Sequence, residues 1–193
     1  MTSAQPLLTM VKSQDVHKVL RPAIEGVLLP IGFSHTEKSP PEYRRPPPRG
    51  WCRSFGESKF LVISLQLDWK GGFNTSSGGK FTLNFELSTK PLVWTDEQWP
   101  TRFWRLLDRS QKQDAIDIER RVVAEIPPPP DRIANWFGGR LRTFHLPWEE
   151  VWMRYGTIGH VEMWAEYLSR NLGSAIDRFE SRSRIGGSRT AAT

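Results

Sequence analysis

Two stretches of strict alternation constrain this chain more than anything else in it. From Phe60 to Trp69, Leu61, Ile63, Leu65, Leu67 and Trp69 point one way, while Val62, Ser64, Gln66 and Asp68 point the other. From Phe81 to Thr89, Phe81, Leu83, Phe85 and Leu87 oppose Thr82, Asn84, Glu86 and Ser88. A period of two belongs to a strand, because successive side chains leave a pleated backbone on opposite faces. The connecting piece, Lys70 to Lys80, is rich in Gly, Ser and Asn, so the two segments read as an antiparallel hairpin. Parity suggests Leu65 beside Phe85, Leu67 beside Leu83, Trp69 beside Phe81 and Gln66 beside Asn84; a slip of two residues keeps the same faces. The expectation is one face buried and one in water. Trp51 to Phe55 reads as a further strand beside the hairpin.

The flanking segments have helical spacing instead. Val16, Val19, Leu20, Ala23, Ile24, Val27, Leu28 and Ile31 recur every three or four residues and form one apolar stripe. Ser13 suits a cap, Pro22 is expected to kink or split the helix, and Pro30 with Gly32 ends it. Phe33 then starts an extended segment. Thr95 and Gln98 resemble a capping box, with Phe103, Trp104, Leu106 and Leu107 as the apolar side of that helix. Ser110 to Glu125 is predicted helical. Pro147 to Tyr155 reads as a short helix with Trp148, Val151, Trp152 and Tyr155 on one face. Thr157 caps a last helix whose stripe runs Val161, Trp164, Ala165, Leu168, Leu172, Ala175, Ile176 and Phe179.

These elements predict an α+β fold: an antiparallel sheet of about four strands over residues 33–90, with the N-terminal and C-terminal helices packed on one face. The chain, 193 residues long, fits a single domain over 1–180 with a flexible tail over 181–193. Two proline-rich stretches, Pro40 to Gly50 and Pro127 to Pro130, read as stiff surface loops, since proline fixes φ and removes a donor. With Arg44, Arg45 and Arg49, the first also has the composition of a docking peptide for a proline-reading domain.

The opening helix closing on Gly32-Phe33, the strand ending in Leu65-Gln66-Leu67, the Gly/Ser loop and the strand Phe81-Thr82-Leu83-Asn84-Phe85 together resemble the bacterial domain-of-unknown-function family 4304. The resemblance covers about residues 13–90. It implies a compact cytosolic bacterial α+β protein and brings no reaction, cofactor or catalytic residue with it. The Pro/Arg stretch at Pro40 to Gly50 is longer than the family pattern leads one to expect.

Net charge is +6 and the pI about 9.8, which favours anionic partners, although no run of five or more like charges forms a basic arm. The single cysteine, Cys52, excludes an intramolecular disulfide. No secretory signal or membrane-length apolar run is present, so the expected location is cytoplasmic, with no membrane partner. His17, His35, His145 and His160 are scattered and form no metal-ligand spacing, so neither metal nor cofactor is expected. Cys52 reads as a buried thiol, because Arg53 beside it leaves the strand on the opposite face. Gly78-Gly79-Lys80 lacks the helix that a phosphate loop needs after it.

Nine tryptophans remain the oddity. Each, fully buried, stabilises by up to about 5 kcal/mol before entropy, so most must be core. Trp69, Trp104, Trp152 and Trp164 fall on apolar stripes, whereas Trp94, Trp99, Trp136 and Trp148 fall at turns or helix starts. The latter lie near Arg102, Arg105, Arg140 and Arg142 in sequence, and aromatic plus arginine is the composition of interface hot spots and of single-strand nucleic-acid platforms. The predicted binding surface therefore combines Gln66, Asp68, Asn84 and Glu86 on the polar sheet face with an edge of Trp99, Arg102, Trp136 and Arg140. The function expected from it is a non-enzymatic protein-interaction module. The alternatives are a nucleic-acid binder using the basic surface, or an enzyme with Asp68 and Glu86 as an acid/base pair.

Overall fold

The structure is a computed structural model that describes residues 11–37, 50–67, 79–92, 100–126 and 152–187. The elements are α1 (Ser13–Leu28), β1 (Ser34–His35), β2 (Gly50–Phe55), β3 (Lys59–Leu67), β4 (Gly79–Ser88), β5 (Thr101–Arg102), α2 (Arg109–Glu125), β6 (Met153–Tyr155) and α3 (Ile158–Gly187). The sheet is antiparallel in the order β1-β2-β3-β4-β5, and β6 also pairs with β4. The fold is α+β. Residues 33–90 supply four of the strands, and β5 and β6 add the rest.

The hairpin β3–β4 forms, in the register slipped by two from the first parity choice. Leu65 lies opposite Leu83, Ile63 opposite Phe85 and Ser64 opposite Asn84. Both registers keep the apolar face intact, so the hydrophobic pattern does not choose between them. Leu61, Ile63, Leu65, Phe81, Leu83 and Phe85 join one buried cluster with Val16, Leu20, Ile24 and Leu28 of α1 and with Val161, Trp164, Leu168, Leu172 and Ile176 of α3. The first and last helices thus cover the same face.

α1 runs unbroken through Pro22, whose ring lies on the exposed side. Ser13 is its first residue; the N-cap is Lys12, with no side-chain cap. Gly32 closes the turn that follows at φ 88°, a left-handed conformation that glycine adopts without steric cost. The stripe ends earlier than its spacing suggests, because Ile31 is exposed. α2 begins at a capping box in which Asp108 and Gln111 bond each other's backbone N–H.

The edge beyond β4 departs from the helical expectation. Thr101–Arg102 is a strand, and Phe103–Leu106 is a 3₁₀ turn. Met153–Tyr155 is also a strand, not the end of a helix. β5 pairs Arg102 with Asn84, and β6 pairs Met153 with Phe81. Extending each register by one residue sets Phe103 opposite Leu83 and Trp152 opposite Thr82. The two short strands are therefore one edge strand, split between Phe103 and Trp152, although residues 104–151 lie between them in sequence. Alternation carries across the split: Phe103, Met153 and Tyr155 belong to the buried apolar cluster, while Arg102, Trp152 and Arg154 fall at the other parity. Pairing satisfies β4's outer backbone groups, which explains why this segment is extended. Tyr155 packs over Gly79, where an added Cβ would lie 2.3 Å from its ring.

α3 begins after Thr157, whose hydroxyl accepts from the His160 N–H. It continues to Gly187, past the point where the composition suggests fraying. Arg182 reaches the Arg105 carbonyl and Ser181 the Asp177 carbonyl, which holds part of this last stretch in place.

Candidate functional site

The polar face of the sheet is not simply solvated. Ser64, Thr82 and Asn84 are each 1 % exposed and Ser88 2 %. The longer Gln66, Lys80, Glu86 and Arg102 on the same face are half-buried. Burial of polar groups demands partners. Asn84 Nδ2 donates to Gln66 Oε1 at 2.9 Å, a diagonal bond, since Gln66 lies opposite Thr82. The other half of the amide, Asn84 Oδ1, is buried with no partner. The Thr82 hydroxyl lies 3.5 Å from the Leu83 carbonyl, long for a hydrogen bond.

Arg102 lies directly across from Asn84, and its guanidinium carbon sits 4.8 Å from the centre of the Trp152 ring. Lys80 Nζ is 5.3 Å from the same centre. Arg154, opposite Lys80, is held by Glu119 of α2: its Nε is 3.0 Å from Oε1 and its backbone N–H donates to Oε2. Burial pushes the Glu119 carboxyl up, against the pull of Arg154. Arg102 and Trp152 thus meet on the split edge strand.

Of the residues singled out from the sequence, Gln66, Asn84, Glu86 and Arg102 share this face. Gln66 and Asn84 bond each other, Arg102 faces Asn84, and Glu86 lies opposite Val62. Asp68, Trp99, Trp136 and Arg140 lie outside the described residues, and so does half of the proposed acid/base pair. So do both proline-rich stretches, apart from Gly50, and the tail beyond Gly187. Sequence reasoning missed Trp152 as a site residue by assigning it to an apolar helical stripe, and it missed Lys80. The signal was present: Trp152, Met153, Arg154 and Tyr155 alternate with period two as well as they fit a helix.

Cys52 is a buried, free thiol on the far parity from Arg53. Burial pushes its pKa up; the Ser34 hydroxyl 3.9 Å away works against this and Glu37 adds to it. A thiol held protonated is a poor nucleophile. Arg53 instead pairs with Glu180, donates to the Ile31 carbonyl and lies over the Phe33 ring. His160 is structural. Its Nδ1 accepts from the Gly156 and Thr157 N–H groups, which assigns the ring proton to Nε2, 2.7 Å from Glu125. A crevice lined by Thr82, Phe103, Trp104, Met153, Trp164 and Tyr167 lies at the split strand and has room for no more than about one water. Among the described residues no cluster of three metal-binding side chains occurs, and no helix is long and apolar enough to cross a membrane.

No protein-family model, curated protein or solved structure matches the chain.

Proposed function

We propose that this chain is a non-enzymatic interaction module, binding a protein partner through the polar sheet face and the Arg102–Trp152 edge. The observation that carries the reading is the guanidinium stacked 4.8 Å over Trp152. Such a pair presents a large, stiff contact area and directed donors together, the combination that dominates interface energetics. The sheet beneath supplies a rigid platform. The raised thiol of Cys52 supports a binding rather than a nucleophilic role. A basic surface also suits nucleic acid, and that reading predicts affinity falling steeply with salt.

The test is affinity capture from a native cell extract with wild type, Arg102→Glu and Trp152→Ala. The expected result is a stoichiometric protein partner retained by wild type and lost by both variants, each weakening binding about 30-fold or more. Identical capture by all three chains overturns the reading. A salt-sensitive gel shift that both variants abolish replaces it with nucleic-acid binding.

A further inference from the structure

Two buried side-chain atoms among the described residues have no hydrogen-bond partner: Asn84 Oδ1 and, on the residue directly across, Arg102 Nη1. A buried acceptor without a donor costs stability, and native proteins seldom keep one. Turning the amides of Asn84 and Gln66 end for end does not remove the problem; it exchanges an orphan acceptor for an orphan donor. A leucine here would fill similar space without the penalty. Sites where a sequence breaks a packing rule in this way are commonly functional.

We propose that Asn84 Oδ1 is the acceptor for a backbone N–H of the bound partner, and that the partner segment is an acidic peptide whose carboxylates are taken by Arg102 and Lys80. This rests on the interaction reading above and names the chemistry that the site selects. Arg102 lies directly across from Asn84, and Lys80 shares the Trp152 ring with it. An acceptor beside cations matches an N–H beside a carboxylate, which is what a Glu- or Asp-rich chain offers. A base-stacking platform calls for an open ring, whereas Trp152 is engaged by two cations.

The experiment is calorimetric titration of the full chain at low salt with poly-L-glutamate, with polyacrylate as a carboxylate polymer lacking N–H donors, and with oligothymidylate. Wild type is expected to bind poly-L-glutamate. Asn84→Leu is expected to weaken that binding about tenfold, to leave polyacrylate binding unchanged, and to hold or raise Tm by about 2–4 °C. Arg102→Ala weakens both polymers. Asn84→Leu binding poly-L-glutamate as wild type does, or losing polyacrylate equally, overturns the proposal. So does preference for oligothymidylate. If only the Arg102 variant matters, the inference fails and the interaction reading survives; if extract capture is also indifferent to Arg102→Glu, both fail. Should Asn84→Leu misfold, the side-chain amide resonances of Asn84 and Gln66 in the wild-type chain decide. They shift on adding poly-L-glutamate if the proposal holds and stay fixed if it does not.

Discussion

The two faces of the sheet are both buried at their centres, yet they are built on different terms. On one, Leu61, Ile63, Leu65, Phe81, Leu83 and Phe85 meet α1 and α3 in a continuous apolar cluster. On the other, Ser64, Thr82 and Asn84 are equally hidden, and one amide oxygen is left without a donor. Burial is thus no measure of contribution to stability. The apolar face gains from every methylene it hides. The polar face gains little from the area it hides; its distinguishing features are a buried amide and two cations around one indole ring.

The sharpest way to break this contrast is to cut into the apolar face. Phe85 lies parallel to Phe103 at 6.3 Å and tilted against Phe179 at 5.7 Å. Phe85→Ala is expected to cost about 3–5 kcal/mol, a large part of an ordinary domain's stability. Urea unfolding checks it: the midpoint falls with an unchanged slope. A loss below about 1 kcal/mol would show that this face is not the main core.

That face was legible because period-two alternation in Phe60–Leu67 and Phe81–Ser88 has few physical solutions, and the same holds for the helical stripes of α1 and α3. The exact pairing was not, since a two-residue slip preserves every inward side chain. The split edge strand was hidden for another reason. Arg102 and Trp152 are neighbours only through their separate registers with β4, and no local pattern connects them. Alternation likewise identified Gln66 and Asn84 as one polar face, but not that Asn84 would be sealed. Sealing is a tertiary property, set by groups that alternation along one strand does not specify.

Smaller changes on the polar face sharpen the contrast from its other side. Thr82→Val removes a hydroxyl whose nearest acceptor is 3.5 Å away, and Ser64→Ala removes another short side chain from the same face. Each is expected to change stability by less than about 1 kcal/mol in the same unfolding experiment. A loss above about 2 kcal/mol for either would mean that the hydroxyls hold the sheet together and that the two faces share one role.

The subtlest expected effect is a difference in sign between two carboxylates. Glu25 serves the apolar side, where Trp51 Nε1 donates to it at 3.4 Å and Arg21 Nε at 2.5 Å. Burial raises its pKa, but the Arg21 and Trp51 hydrogen bonds and the charges of Arg21 and His35 outweigh that and leave it below the usual value. A lowered folded pKa gives a stabilisation present above the unfolded carboxyl range and lost as pH falls through the folded value. Glu119, which holds Arg154 beside the polar face, is displaced upward because burial prevails over the arginine. Its contribution has the opposite sense: present below the unfolded carboxyl range and lost as pH rises through the raised folded value. Stability measured from neutral pH into acid should therefore show the gap between wild type and Glu25→Gln closing, while wild type gains on Glu119→Gln over the same descent. Parallel curves for the two variants would show that the faces do not differ in how they hold charge, and would leave polarity alone to distinguish them.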